Sequence, residues 1–115
     1  MTDAPARPPG PTPIAVVTTV ATIDEARRMA QAVVERRLAA CAQASQIESC
    51  YRWAGEVRSE PEYRVVFKTT DAAWDALERA IRELHSYELP AIHAVALDRV
   101  SAPYAAWIVD NTAAG

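Results

Sequence analysis

The apolar positions of the chain change period several times, and each change marks an element. Ile14-Ala-Val-Val-Thr-Thr-Val20 is short, apolar and β-branched, which suits a buried strand. Thr22-Ile-Asp-Glu25 reads as a capping box: the Thr22 hydroxyl accepts from the third helical N–H, and the Glu25 carboxylate reaches back. Ala26, Met29, Ala30, Val33, Val34 and Leu38 then recur at threes and fours, with Arg27, Arg28, Gln31, Glu35 and Arg36 on the other side. This spacing predicts an amphipathic helix from about Ile23 to Leu38. From Ala39 the period is two. Ala40, Ala42 and Ala44 share one parity, whereas Ile47, Tyr51 and Trp53 share the other. An unbroken strand keeps its faces, so a bulge or bend is expected near Ser45-Gln46. Ala54-Gly55 marks a tight turn. The returning strand carries Val57, Tyr63, Val65, Phe67 and Thr69 on one parity. Pro61 has no N–H for a ladder and belongs on an edge or at a bulge.

A second helix follows Thr70-Asp71, either of which can cap it, with an apolar stripe of Trp74, Leu77, Ile81 and Leu84. It should end near His85, because Ser86-Tyr87-Glu88 and Pro90 break the pattern. Ala91 to Leu97 reads as a further strand, expected to be central, with His93 packed or at an interface. Pro103 suits the first turn of a short last helix, with Tyr104, Trp107 and Ile108 packing inward. The order strand–helix–strand–strand–helix–strand predicts an α+β fold, the ferredoxin-like βαββαβ sandwich, with a long central hairpin and a short C-terminal helix.

The hairpin carries a further expectation. Arms of about 13 residues reach roughly 40 Å at ~3.3 Å per residue, whereas a domain of this size has a radius of gyration near ~13 Å. The hairpin should therefore project beyond the globule while still carrying Ile47, Tyr51, Trp53, Val57 and Tyr63. An uncovered apolar edge invites pairing, and partner subunits are the simplest cover. Tyr51, Trp53 and Trp107 are the candidate interface residues.

Composition narrows the functional classes. A chain of 115 residues, half of them apolar, builds one domain. Its net charge of −3 disfavours a nucleic-acid partner. No apolar run approaches the ~20 residues of a membrane span, and no basic start leads into an apolar stretch, so a cytoplasmic protein without membrane contact is expected. Three Gly leave little for a phosphate-cradling loop, and two Cys make neither a staple framework nor a CxxC site. Residues 1–13 hold five of the eight prolines and read as an extended, solvated tail, leaving 14–112 as the single folded domain.

Leu38-Ala-Ala-Cys41, Tyr51-Arg-Trp53 with Gly55, Lys68-Thr-Thr70, Leu84-His85-Ser-Tyr87-Glu88-Leu-Pro90, and Pro103-Tyr104 with Trp107-Ile108 occur in an order and spacing that resembles the CutA family of divalent-cation tolerance proteins. The resemblance covers about residues 14 to 109. It implies a homotrimer of ferredoxin-like subunits, a link to copper and other divalent cations, and a likeness to the trimeric PII signalling proteins. The chain departs from the family pattern in places. Ser45-Gln46 stands where many members have Pro-Gly, and Ala54 where a Glu is usual. The copper site proposed for some members uses a Cys on the first strand and two adjacent His. Here those positions read Thr18, Leu84 and His85, so one ligand of three remains and any copper or other divalent cation should bind weakly.

Individual residues carry alternatives. His85, at a helix C-terminus, is either a structural or interfacial hydrogen-bond partner or a metal ligand. Cys41 is either a small packed hydrophobe or a metal thiolate. Cys41 and Cys50, on one strand and ~30 Å apart if fully extended, are expected to be reduced thiols. Lys68-Thr69-Thr70 is either a cap or an anion-binding corner. Arg52, Lys68, Tyr87, Glu88 and Tyr104 are candidates to line a cleft between subunits. No nucleophile–base–orienter set is visible, so no enzyme is expected. An acylphosphatase would need a glycine-containing anion loop after the first strand, and an RNA-recognition domain would need exposed aromatics in a basic setting. The reading is a non-catalytic trimeric protein of divalent metal (copper) tolerance. The alternatives are a PII-like sensor of a small anionic ligand held between subunits, and a trimeric scaffold for partner proteins.

Overall fold

The computed structural model describes residues 11–113; the Pro-rich segment at 1–10 lies outside the described residues. The strands β1 (Pro13–Val20), β2 (Cys41–Trp53), β3 (Glu56–Thr70) and β4 (Ile92–Ala96) form one antiparallel sheet in the order β2-β3-β1-β4. The helices are α1 (Ile23–Glu35), α2 (Trp74–Leu84) and α3 (Ala102–Asp110). This is the expected ferredoxin-like order, with β1 and β3 at the centre. Strand β4 is an edge strand rather than a central one, because β1 takes the inner place beside β3; His93 is consequently exposed. Strand β1 also starts one residue before the expected domain boundary. Pro13 opens it opposite Thr70, where a missing N–H costs least, and Thr12 exchanges hydrogen bonds with Asp71.

Helices α1 and α2 cover one face of the sheet. Val16 and Val20 of β1, Val65 and Phe67 of β3, Met29 and Val33 of α1, and Leu77 and Ile81 of α2 form its core. The Thr22 hydroxyl caps α1 by accepting from the Glu25 N–H at 3.1 Å, as the capping box predicts. The helix stops at Glu35, earlier than its apolar stripe suggests. Arg37 takes a left-handed conformation (φ 60°), and the N–H groups of Arg37 and Leu38 donate to the Val34 and Val33 carbonyls, a Schellman ending that puts Leu38 outside the helix. A short 3₁₀ turn, Asp71–Ala73, precedes α2, and Thr70 makes no side-chain cap bond. On the opposite face α3 packs over β1 and β3. Only Ile108 of its expected inward residues is buried. Tyr104 and Trp107 lie outside and stack on each other, with centroids 5.9 Å apart.

The hairpin contains no bulge. Pairing runs in one register from Cys41↔Lys68 to Trp53↔Glu56, so Ala42 and Ala44 stay on the helix-covered side while Ile47, Tyr51 and Trp53 point to the other. The apolar parity switches because the cover switches: β1 pairs with β3 only from Tyr63 onward, and residues 56–62 extend past it by roughly 20 Å at ~3.3 Å per residue. Pro61 lies in that overhang, on the edge position its chemistry requires. Ala54 (φ 52°) and Gly55 (φ 79°) close the hairpin, both at positive φ, a two-residue geometry that matches strand twist and strains Ala54. The overhang leaves Tyr51, Trp53 and Val57 exposed, Trp53 at 44%.

Candidate functional site

The site forms where the overhanging hairpin meets the segment after α2. Strand β1 ends at Val20, and the chain leaving α2 turns back across that end. His85 anchors the turn. Its Nδ1 accepts the Tyr87 N–H at 3.1 Å, so the ring proton resides on Nε2, which donates to the Thr19 carbonyl at 2.8 Å. Glu25 anchors it from the other side. Instead of closing the capping box, its buried carboxylate accepts the Ser86 N–H and the Ser86 hydroxyl, both at 2.9 Å. The His85 side chain has no exposed surface.

With the turn pinned on two elements, Tyr87 reaches β3. Its ring lies 4.9 Å from that of His85, and its hydroxyl donates to Glu62 Oε2 at 2.8 Å. Burial first, and then the bond to the Glu62 carboxylate, push the Tyr87 phenol well above its ordinary range. Glu62 is itself only 8% exposed. Tyr51 donates to Glu60 Oε2 at 3.0 Å, and that bond holds its phenol protonated as well. Beyond Tyr87 opens a cleft of about 850 Å³. Glu48, Glu62 and Glu88 contribute carboxylates, and Tyr51, Trp53 and Tyr87 contribute rings; among the described residues no Lys, Arg or His lines it.

Of the five expected cleft residues, Tyr87 and Glu88 line this space, and Arg52, Lys68 and Tyr104 do not. Arg52 is on β2 but on the face opposite Tyr51 and Trp53. Lys68 donates to Gln43 Oε1 at 3.3 Å, and Tyr104 sits on α3 with its hydroxyl 3.9 Å from Cys41 Sγ. The Tyr104 phenol is raised by burial and then by Cys41. Cys41 and His85 stand apart. Cys41 opposes Lys68, which pairs with Ala15, whereas His85 bonds Thr19, roughly 13 Å further along β1 at ~3.3 Å per residue. Both cysteines are free thiols.

A resident metal does not fit the residues present. Both nitrogens of His85 are spent on backbone groups, and among the described residues no three His, Cys, Asp or Glu side chains gather to hold an ion. Sequence reasoning gave Glu25 a capping role and missed Glu48 and Glu62; only the long-range partners Ser86 and Tyr87 reveal the roles of Glu25 and Glu62.

Comparisons with known proteins place this geometry. Residues 14–111 match the family described as CutA1 divalent ion tolerance protein. The divalent-cation tolerance protein CutA of Thermus thermophilus is 38% identical over 98 residues, 84% of this chain and 95% of that one. The structure of CutA from Synechococcus elongatus superposes with a TM-score of 0.85 at 38% identity, over 88% of this chain and 90% of that one. A periplasmic divalent cation tolerance protein CutA from Archaeoglobus fulgidus superposes with a TM-score of 0.85 at 26% identity, over 87% of this chain and 98% of that one.

Proposed function

We propose, from the premise that this chain belongs to the CutA1 family of divalent ion tolerance proteins, that it serves divalent metal (copper) tolerance as a non-catalytic homotrimer. The family match across the whole folded region carries the reading, and the family is named for tolerance rather than for a reaction. The trimer is supported by the overhanging hairpin. Tyr51, Trp53 and Val57 are exposed beyond the reach of the helices, Tyr104 and Trp107 form a second exposed aromatic patch, and both sheet edges are unpaired among the described residues. The two free thiols support a cytoplasmic location.

Among the described residues no three ligating side chains gather and both His85 nitrogens bond backbone groups, so in this reading tolerance is exercised by the assembly rather than by a copper ion stored on His85. Cys41, half-buried beside Tyr104, belongs to no cluster of three ligating side chains among the described residues and serves packing. The test is growth of a deletion strain across a copper series. The deletion strain should tolerate less copper, the intact gene should restore it, and a Trp53→Asp gene that yields no trimer should not. Equal tolerance with and without the gene overturns the reading.

A further inference from the structure

The two ring nitrogens of His85 are used in opposite senses. Nε2 donates to the Thr19 carbonyl at 2.8 Å, and Nδ1 accepts the Tyr87 N–H at 3.1 Å. That pattern belongs to the neutral ring alone, because a charged imidazole carries a proton on both nitrogens and accepts nothing. A second proton, on Nδ1, sets donor against donor at the Tyr87 N–H. Another partner is already in place: Glu25 Oε2 lies 3.8 Å from Nδ1. Among the described residues no Lys or Arg pairs with the buried Glu25, so a charged His85 is its ion-pair partner there. Glu25 keeps Ser86 as it turns, since a carboxylate oxygen accepts more than one bond. The other groups around the ring are few. Arg28 of α1, itself exposed, shares a small pocket with Glu25, His85 and the apolar Leu84 of α2. Strand β1 offers the uncharged Thr19 carbonyl, the Tyr87 ring lies 4.9 Å away, and Glu62 of β3 stands beyond the Tyr87 hydroxyl.

What the exchange releases is specific. Among the described residues, the bond from the Tyr87 hydroxyl to Glu62 is the one side-chain hydrogen bond that ties the overhanging hairpin to the rest of the subunit; Tyr51 bonds Glu60, and Arg58 pairs with Glu56, within the hairpin itself. We propose that His85 and Glu25 form a proton-operated latch: when Nδ1 takes up a proton from water it turns from the Tyr87 N–H to Glu25 Oε2, and Tyr87, its backbone freed, lets go of Glu62 and unties the overhang. One proton moves. The Tyr87 phenol, held well above its ordinary range, stays protonated throughout. All of these groups lie in one subunit, so the latch stands independently of the trimer and of the role in tolerance.

Nuclear magnetic resonance of the full-length protein, between about pH 8 and about pH 5.5 and so above the ordinary carboxylate range, tests it. The His85 ring nitrogens should pass from the neutral Nε2–H form to the doubly protonated form. The Tyr87 amide and the Glu62 carboxyl carbon should shift with the same midpoint. Glu25→Gln should move that midpoint to lower pH, because it removes the charge that favours the imidazolium. His85→Gln, whose amide can both donate and accept but takes up no proton, should abolish the shifts at Tyr87 and Glu62. Tyr87→Phe should leave the His85 transition in place and cut Glu62 off from it. His93, exposed on β4, should titrate without moving either signal. The latch is overturned if His85 keeps its neutral form across this range, if Tyr87 or Glu62 fails to follow it, or if His85→Gln retains the response. It is also overturned if the far-UV circular dichroism is lost along with the transition, since that is unfolding and not the release of one turn.

Discussion

Thr18 offers a sharp test of the core. It lies on β1 between Val16 and Val20, faces the helices, and is 1% exposed. Its strand neighbours are Val65 on β3 and Ile92 on β4. The Oγ1 atom is fully buried and has no hydrogen-bond partner among the described residues. An unsatisfied buried hydroxyl costs about 1–3 kcal/mol, and the Thr→Val exchange replaces it with a methyl of the same shape. The substitution also adds apolar area in place of polar area, which acts in the same direction. Thr18→Val should therefore stabilise the protein by about 1–2 kcal/mol. Urea unfolding followed by tryptophan fluorescence, at one fixed protein concentration, should show a higher midpoint with an unchanged slope. The thermal midpoint should rise by about 4–8 °C per kcal/mol. A variant that is less stable than the parent would refute the reasoning, because it would mean that Oγ1 has a partner, such as a buried water, that valine destroys.

Trp53→Asp should shift the light-scattering mass from three times 12.6 kDa toward the single chain, since it puts an unpaired charge into the proposed contact; an unaffected trimer would remove the hairpin tip from the interface. His85→Ala should destabilise by about 2–4 kcal/mol, as the Tyr87 N–H and the Thr19 carbonyl both lose their partner, and copper should raise the melting temperature of parent and variant by the same small amount; protection by copper that depends on His85 would restore it as a ligand. Tyr87 has its folded pKa raised above 10.0, so its contribution to stability is complete below that pH and is lost as pH rises further; Tyr87→Phe should flatten the alkaline fall in stability, and an unchanged profile would place the sensitive group elsewhere.

Local chemistry made most of the fold legible. The Thr22 cap, the Ala54-Gly55 turn and the edge position of Pro61 each rest on residues that interact within a few positions or lack a group outright. The errors arose where a pattern reports cover rather than backbone. The parity switch between Ala44 and Ile47 implies a bulge only if the same face stays buried along the whole strand. It does not, because β1 ends opposite Tyr63 and the helices end with it. Trp107 on α3, read as packing inward or at an interface, is 43% exposed and stacks on Tyr104. Both cases leave apolar surface on the side away from α1 and α2. They are the positions whose apolar pattern is not explained by burial among the described residues.

The site was half legible for a different reason. His85 and Tyr87 stand out in the sequence as chemistry-bearing residues, but their roles depend on Glu25 and Glu62, which are 61 and 25 positions away from the groups that bond them. Nothing in the spacing of Glu56, Glu60 and Glu62 marks one of the three β3 carboxylates as buried. The burial follows from a chain of constraints. Glu25 on α1 holds Ser86, His85 holds the backbone of Tyr87 against β1, and the phenol then donates to Glu62. The Glu25 carboxylate thus leaves its expected capping bond to fix a turn that shapes a cleft on the far side of the sheet end. A substitution at Glu25 should consequently disturb the cleft more than the helix it begins, because Thr22 caps α1 without it whereas the Ser86 turn has no other acceptor for its N–H among the described residues.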